Sequence, residues 1–371
     1  AGWGAHGVLT LDGPTASAEF PALAVANTSN TVGIVNLNGG KMTTKYVGGF
    51  QNRGGAKSYL NFNGGTLKAK DQRDMLYGVG SGDNYEPTRV TVFERGATFD
   101  TNGGDHRIYA RLQAPEGDGV ASLTIDGILT NRYVGAPAIK ITGDGYGASA
   151  HAMYDSRTER VTAIRITSPG CNYTHATATL SYGNKDVECG TFTFAKQAGG
   201  GITKTGEGTL ILYATNTYAG ATVVKAGTLK AGGDWAFPSN TVVKLEGGTL
   251  DTNGKKCAFG GFEGAAGKLV GDITTGTFSV DMAEVVAGRH AVIEGKVTLS
   301  EGAVLSLLNQ SAFDPTDLTK RRYVLATADA WEGSFASVPT VMGPDNRPWE
   351  IKISGRNLVL RYPFGTMLIV R

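Results

Sequence analysis

Asp100, Asp105, His106 and Arg107 form the best cluster of acid–base groups in the chain. Two carboxylates beside an imidazole and a guanidinium are the equipment of glycan cleavage. One carboxylate can move a proton to or from the leaving oxygen while the other faces the sugar carbon. Such sites need their carboxylates on adjacent strands of one face. The surrounding residues point instead to a turn. Asp100-Thr101-Asn102-Gly103 returns as Asp251-Thr252-Asn253-Gly254, and the second copy lacks the His and the Arg.

Other reactive patterns are missing. The sequence has no Gly-x-Ser-x-Gly nucleophile turn. Gly254-Lys255-Lys256-Cys257 fails the phosphate-loop pattern at its last position. His6, His106, His151, His175 and His290 share no metal-ligand spacing. Asp144, in Gly143-Asp144-Gly145-Tyr146-Gly147, is one carboxylate where calcium needs several, so it reads as a turn residue. No cofactor and no enzymatic activity are expected.

The elements that would have to position these residues are repeats. Gly-Thr-Leu occurs at 65–67, 208–210, 227–229 and 248–250. Val35-Asn36-Leu37-Asn38-Gly39-Gly40 has a sister copy in Leu60-Asn61-Phe62-Asn63-Gly64-Gly65. Strand residues closed by Gly or Asn-Gly, at periods of roughly 20–30 residues, predict a stacked all-β solenoid. Gly and Asn supply the positive φ that a corner demands. The spacing further predicts that Leu210, Leu229 and Leu250 stack as one inward ladder.

Four segments follow from the pattern. Residues 1–132 are expected to form the first coils, and 133–196 an inserted β module richer in aromatics and prolines. Residues 197–310 resume the coils, and 311–371 form a β cap. A solenoid end exposes an apolar cross-section, so a lid is required, and Trp331, Trp349 and Tyr362 are suited to it.

Bulk properties agree with short strands and many turns. Glycine makes up 54 of 371 residues, about twice the usual share. Charged residues are 18%, and the net charge is +2 with the basic residues spread out. That leaves no electrostatic footprint for nucleic acid. No apolar run reaches the length of a membrane span.

One stretch carries a family resemblance. Thr203-Lys204-Thr205-Gly206, Gly208-Thr209-Leu210, Asn216-Thr217-Tyr218 and Ala226-Gly227-Thr228-Leu229 resemble the autotransporter-associated β-strand repeat, also called the passenger-associated transport repeat. The Asn-rich copies at 36–40 and 61–65, the 133–182 segment and the tail from Tyr323 to Leu360 resemble other parts of such repetitive surface proteins. The resemblance implies a right-handed parallel β-helix that is exported and displayed outside the cell. Nothing after 311 resembles a membrane β-barrel, so either a barrel has been removed or, as expected here, the chain is a free-standing secreted relative.

In an exported chain, confinement of Cys171 and Cys189 to one insertion predicts a disulfide between them, with Cys257 free; two buried thiols are the alternative. The apolar, strand-prone run Thr366-Met367-Leu368-Ile369-Val370 is a candidate assembly strand, able to fold back on its own cap or to pair with the next subunit. The expected function is structural: a secreted or cell-surface fibre or sheath subunit that self-associates. The alternatives are an adhesin passenger, and a β-helix that binds or cleaves carbohydrate, with surface glycans as its partners.

Overall fold

The computed structural model describes residues 6–26, 28–49, 55–71, 74–77, 87–124, 132–182 and 185–363. It is nearly all β, with one short α-helix, Met282–Val286, among the described residues. Its sheets are mixed, combining long parallel ladders with antiparallel hairpins. No helix among the described residues is long and apolar enough to cross a membrane. The chain divides into two compact units. One holds residues 1–102, 106–202 and 216–220; the other holds 103–105, 203–215 and 221–371.

In the first unit, strands repeat at the sequence period. His6–Leu11, Val32–Leu37, Lys57–Phe62, Arg89–Val92 and Leu112–Gln113 pair in parallel as a five-stranded sheet. Two further strands per repeat do the same. Ser17–Phe20, Lys41–Thr44, Thr66–Ala69 and Ala97–Asp100 form one succession, and Leu23–Val25, Val47–Gly49 and Asp74–Leu76 begin another.

Alternation along the five-stranded sheet sorts its two faces. On one face Leu11, Leu37, Phe62 and Val92 stand in register, beside the column Val35, Leu60, Val90 and Leu112. All of these are buried, and the Phe62 ring lies 5.3 Å from that of Phe99. The opposite face carries three other columns, taken up below.

The excursion from the ladders begins earlier than the sequence pattern indicates. Asp118–Thr124 pairs antiparallel with Thr191–Lys196, closing the base of the module before residue 133. Alternating Val120, Leu123 and neighbours look the same in a parallel strand and in a hairpin strand, so periodicity cannot separate them. Within the module, Tyr146–Asp155 pairs with Arg160–Cys171, and Ala138–Gly143 pairs with Ala176–Tyr182. Its core gathers Val120, Tyr133, Ile139, Ile141, Leu180 and Phe192.

In the second unit, Thr209–Leu212, Thr228–Ala231, Val242–Asp251, Gly261–Val270, Ala291–Leu308 and Arg322–Glu332 pair in parallel succession. Leu210 stands opposite Leu229, Leu229 opposite Leu250, Leu250 opposite Leu269, and Leu269 opposite Ile293. Each is buried. A second column runs Val243, Phe262, Phe278 and Leu305. The succession then changes direction: Asn357–Arg361 pairs antiparallel with Arg322–Glu332 and with Glu350–Ser354. Trp349 is buried among Phe313, Tyr323 and Tyr362, with ring centroids 5.1–6.0 Å away. Trp331 instead packs 5.5 Å from Phe278.

Candidate functional site

The acid–base cluster of the sequence serves local structure. Asp100 Oδ1 accepts the Asn102 amide at 2.8 Å, and Asn102 takes a φ of 50°. Its repeat copy does the same: Asp251 Oδ1 accepts the Asn253 amide at 2.7 Å, with φ of 52° at Asn253. Both are Asx turns, in which a short carboxylate closes its own corner. Lys68 lies 3.6 Å from Asp100. His106 is buried, with Nε2 3.1 Å from the Thr101 carbonyl oxygen, and Arg107 reaches the Tyr109 hydroxyl at 3.4 Å. In the other unit, Asp105 Oδ1 accepts the Thr209 amide at 2.8 Å. Asp144 is held by the Thr174 hydroxyl and by the amides of Thr174 and His175, which keep its carboxyl far below the usual range. Among the described residues, no group of three His, Cys, Asp or Glu side chains gathers to hold a metal ion.

The expected disulfide is not formed. Cys171 is a free thiol. It ends the strand Arg160–Cys171 opposite Tyr146, whereas Cys189 ends Lys185–Cys189 opposite Ala178 in a different sheet. Confinement to one insertion therefore did not put the two strands in one sheet. The Cys171 thiol shares a hydrogen bond with the Tyr146 hydroxyl, and burial pushes its pKa up. Cys257 is also free, and burial with the nearby Asp234 pushes it up to about 11. The candidate assembly strand Thr366-Met367-Leu368-Ile369-Val370 lies outside the described residues.

Lys204 is wholly buried in the repeat that carried the family resemblance. Its ammonium donates to the carbonyls of Thr205 at 3.0 Å, Gly206 at 2.6 Å and Ala226 at 3.1 Å. Two successive turns are thereby tied by one charge. Gly227 must be glycine for this: its φ is +63°, and a Cβ there would fall 2.4 Å from the Gly208 oxygen and 2.8 Å from Lys204 Nζ.

The outer face of the five-stranded sheet is where the module and the ladder meet. Its three columns run His6–Val32–Lys57, Val8–Ile34–Tyr59–Arg89 and Thr10–Asn36–Asn61–Thr91. The hairpin of Tyr146–Asp155 and Arg160–Cys171 covers the asparagines. Asn36 Nδ2 donates to Ser149 Oγ at 2.8 Å and Thr10 Oγ1 at 3.0 Å. Asn61 Nδ2 donates to Asn36 Oδ1 at 2.9 Å and Ser168 Oγ at 3.0 Å. Asn38 Nδ2 donates to the Thr167 carbonyl at 2.6 Å. Buried amides are tolerated because each hydrogen finds an acceptor. At the rim, Arg165 pairs with Asp12 at 2.6 Å.

Beside this network the seam opens. The Tyr59 and Tyr146 rings stack with centroids 5.8 Å apart at 13°, and the Arg89 guanidinium lies 5.2 Å from the Tyr146 centroid. Arg89 is fixed in turn by the Ala114 carbonyl at 2.8 Å and by Glu116 at 3.0 Å. The cleft measures ≈ 140 Å³. His6, Lys57, Lys140, Thr142, Tyr59 and Tyr146 contribute to its lining. Burial lowers the His6 pKa, and the Lys140 charge lowers it further. Burial likewise raises that of Tyr59, so its hydroxyl keeps its proton at neutral pH.

Sequence reasoning did not single out these residues. Asn36 and Asn61 were visible as equivalent positions of two repeat copies. Lys57, Lys140 and Tyr146 carry no motif, and their partners lie far away in the chain.

Residues 202–231 match the family described as Passenger-associated-transport-repeat. This is the repeat of autotransporter-associated, passenger-type surface proteins, and the family implies a secreted or cell-surface setting. No curated protein and no solved structure gave a match.

Proposed function

We propose that the repeats wind as a right-handed parallel β-helix and that the chain is a non-enzymatic surface structural protein, a subunit of a fibre or sheath. The observation that supports this reading is the register. Like residues stand opposite like across successive repeats, as in Leu210, Leu229, Leu250 and Leu269. A repeat that meets only its neighbours builds a stiff scaffold whose length is set by repeat number. The passenger-type repeat supports export of such a scaffold. Negative-stain imaging of the purified full chain tests the reading. Ordered polymers are expected, and compact monomers at high protein concentration would count against the fibre.

A second reading, a binding passenger of the adhesin type, is favoured by the basic, tyrosine-walled cleft beside the module. It uses the same scaffold and differs in having a ligand.

A further inference from the structure

We propose that the cleft between the five-stranded sheet and the inserted module binds one acidic sugar residue: a pyranose ring bearing a carboxylate or a sulfate. The proposal goes beyond the structural role and holds whether or not the chain assembles.

Charge is the first argument. Lys57 belongs to the sheet and Lys140 to the module, and both line the cleft together with His6. Among the described residues neither lysine has a carboxylate within ion-pair distance. Asp144, the acidic residue of the lining segment, stays ionised under its bonds from Thr174 and His175 but is not itself among the lining residues, so the lining carries Lys57 and Lys140 without a carboxylate. After burial, the Lys140 charge is the second influence that lowers the His6 pKa, in keeping with the two residues sharing one lining. Converging cations in a partly enclosed space favour an anion, because low-dielectric walls keep the field from being screened.

Size and lining are the second argument. A volume of ≈ 140 Å³ is between four and five water volumes at about 30 Å³ each. That seats part of one sugar, its anionic end inward and the rest of the ring at the open mouth, and falls well below the roughly 300 Å³ at which drug-sized sites begin. The Tyr59 hydroxyl stays protonated, and Thr142 belongs to the same lining, its hydroxyl 3.5 Å from that of Thr177. These are neutral hydrogen-bonding partners of the kind that sugar hydroxyls require. The walls are also rigid. Tyr146 packs against both the Tyr59 ring and the Arg89 guanidinium, and the asparagine network fixes the hairpin that carries it. A preformed site gives up little freedom on binding.

The experiment uses the full chain, titrated by calorimetry at low salt with glucuronate, glucose 6-sulfate, glucose and inorganic phosphate. The two acidic sugars should bind at least about tenfold more tightly than glucose, and the stronger of the two identifies the anionic group. Lys57→Gln and Lys140→Gln should each weaken that binding by about tenfold, as expected for loss of one charge-assisted hydrogen bond. Lys244→Gln, in the other unit, should leave it unchanged. Acidic sugars that bind no better than glucose would overturn the proposal, as would undiminished binding in both cleft variants. Inorganic phosphate that binds as tightly as the acidic sugars would overturn the sugar part of it.

Discussion

The covered column of the first unit and the open columns of the second are finished in opposite ways. In the first unit, the column Thr10–Asn36–Asn61–Thr91 is covered by the module and built from neutral groups. In the second, outward positions are open and carry ion pairs from one strand to the next: Lys230 to Asp251 at 2.8 Å, Lys244 to Glu263 at 2.8 Å, Lys268 to Glu294 at 2.6 Å and Lys296 to Glu332 at 2.7 Å. The backbone arrangement is alike; the surroundings differ. Under a cover, a charge would lose its hydration, whereas an amide needs only partners for its hydrogens and oxygen. In water, charges cost nothing to keep and hold the edge soluble. The outer face of a parallel ladder is therefore free to be either a docking surface or a solvated one, while the inner face has no such choice.

That contrast is tested first at the inner face, where the two units should agree. Leu229→Ala in the second unit and Leu60→Ala in the first should each cost about 2–5 kcal/mol in urea unfolding, because both side chains are fully buried. A loss in one unit alone would mean that the inner columns are not equivalent.

The outer faces should then diverge. Asn36→Ala strips partners from Asn61, Ser149 and Thr10, and should cost about 1–3 kcal/mol. Hydrogen exchange on the same variant should register the module loosening, as faster amide exchange along Tyr146–Asp155. Lys230→Ala removes a half-exposed ion pair and should cost about 1 kcal/mol or less, with even that fading in high salt. A Lys230→Ala effect larger than that of Asn36→Ala would reverse the comparison.

The smallest effect is chemical. Native protein should show Cys171 unmodified by iodoacetamide at pH 7.5, since the thiol is buried and its pKa is raised. Cys257, pushed up to about 11, should react slowly. After unfolding, both should alkylate fully without reductant. Recovery of a Cys171–Cys189 cross-linked peptide would show that the module closes differently.

What could be read in advance divides along the same line. Inner residues repeat in kind, since each must fill the same space one repeat on. Leu210, Leu229 and Leu250 could therefore be placed from spacing alone. Outer residues answer to partners elsewhere in the chain. Asn36 meets Ser149 across more than a hundred positions, and no local pattern encodes that pairing. The start of the module at Asp118 was hidden because a hairpin strand and a ladder strand share one alternation. The cysteines misled because nearness in sequence says nothing about which sheet a strand joins. The cleft was least visible of all, since Lys57 and Lys140 converge only once the module has docked.

The reversal of direction at Asn357–Arg361 bears on how such a chain can change over time. Between Thr209 and Ile293, the strands that carry the leucine column pair in parallel from each to the next, with bulges only between Leu245 and Thr249. A duplicated copy of the stretch from Thr209 to Gly227 would present Leu210 again one strand on, with a leucine opposite it on either side, so a whole repeat can be added there. The antiparallel pairing onto Arg322–Glu332 has a different bond spacing and offers no such seat. Duplication is accommodated in the interior, and the closing hairpin has no part in it.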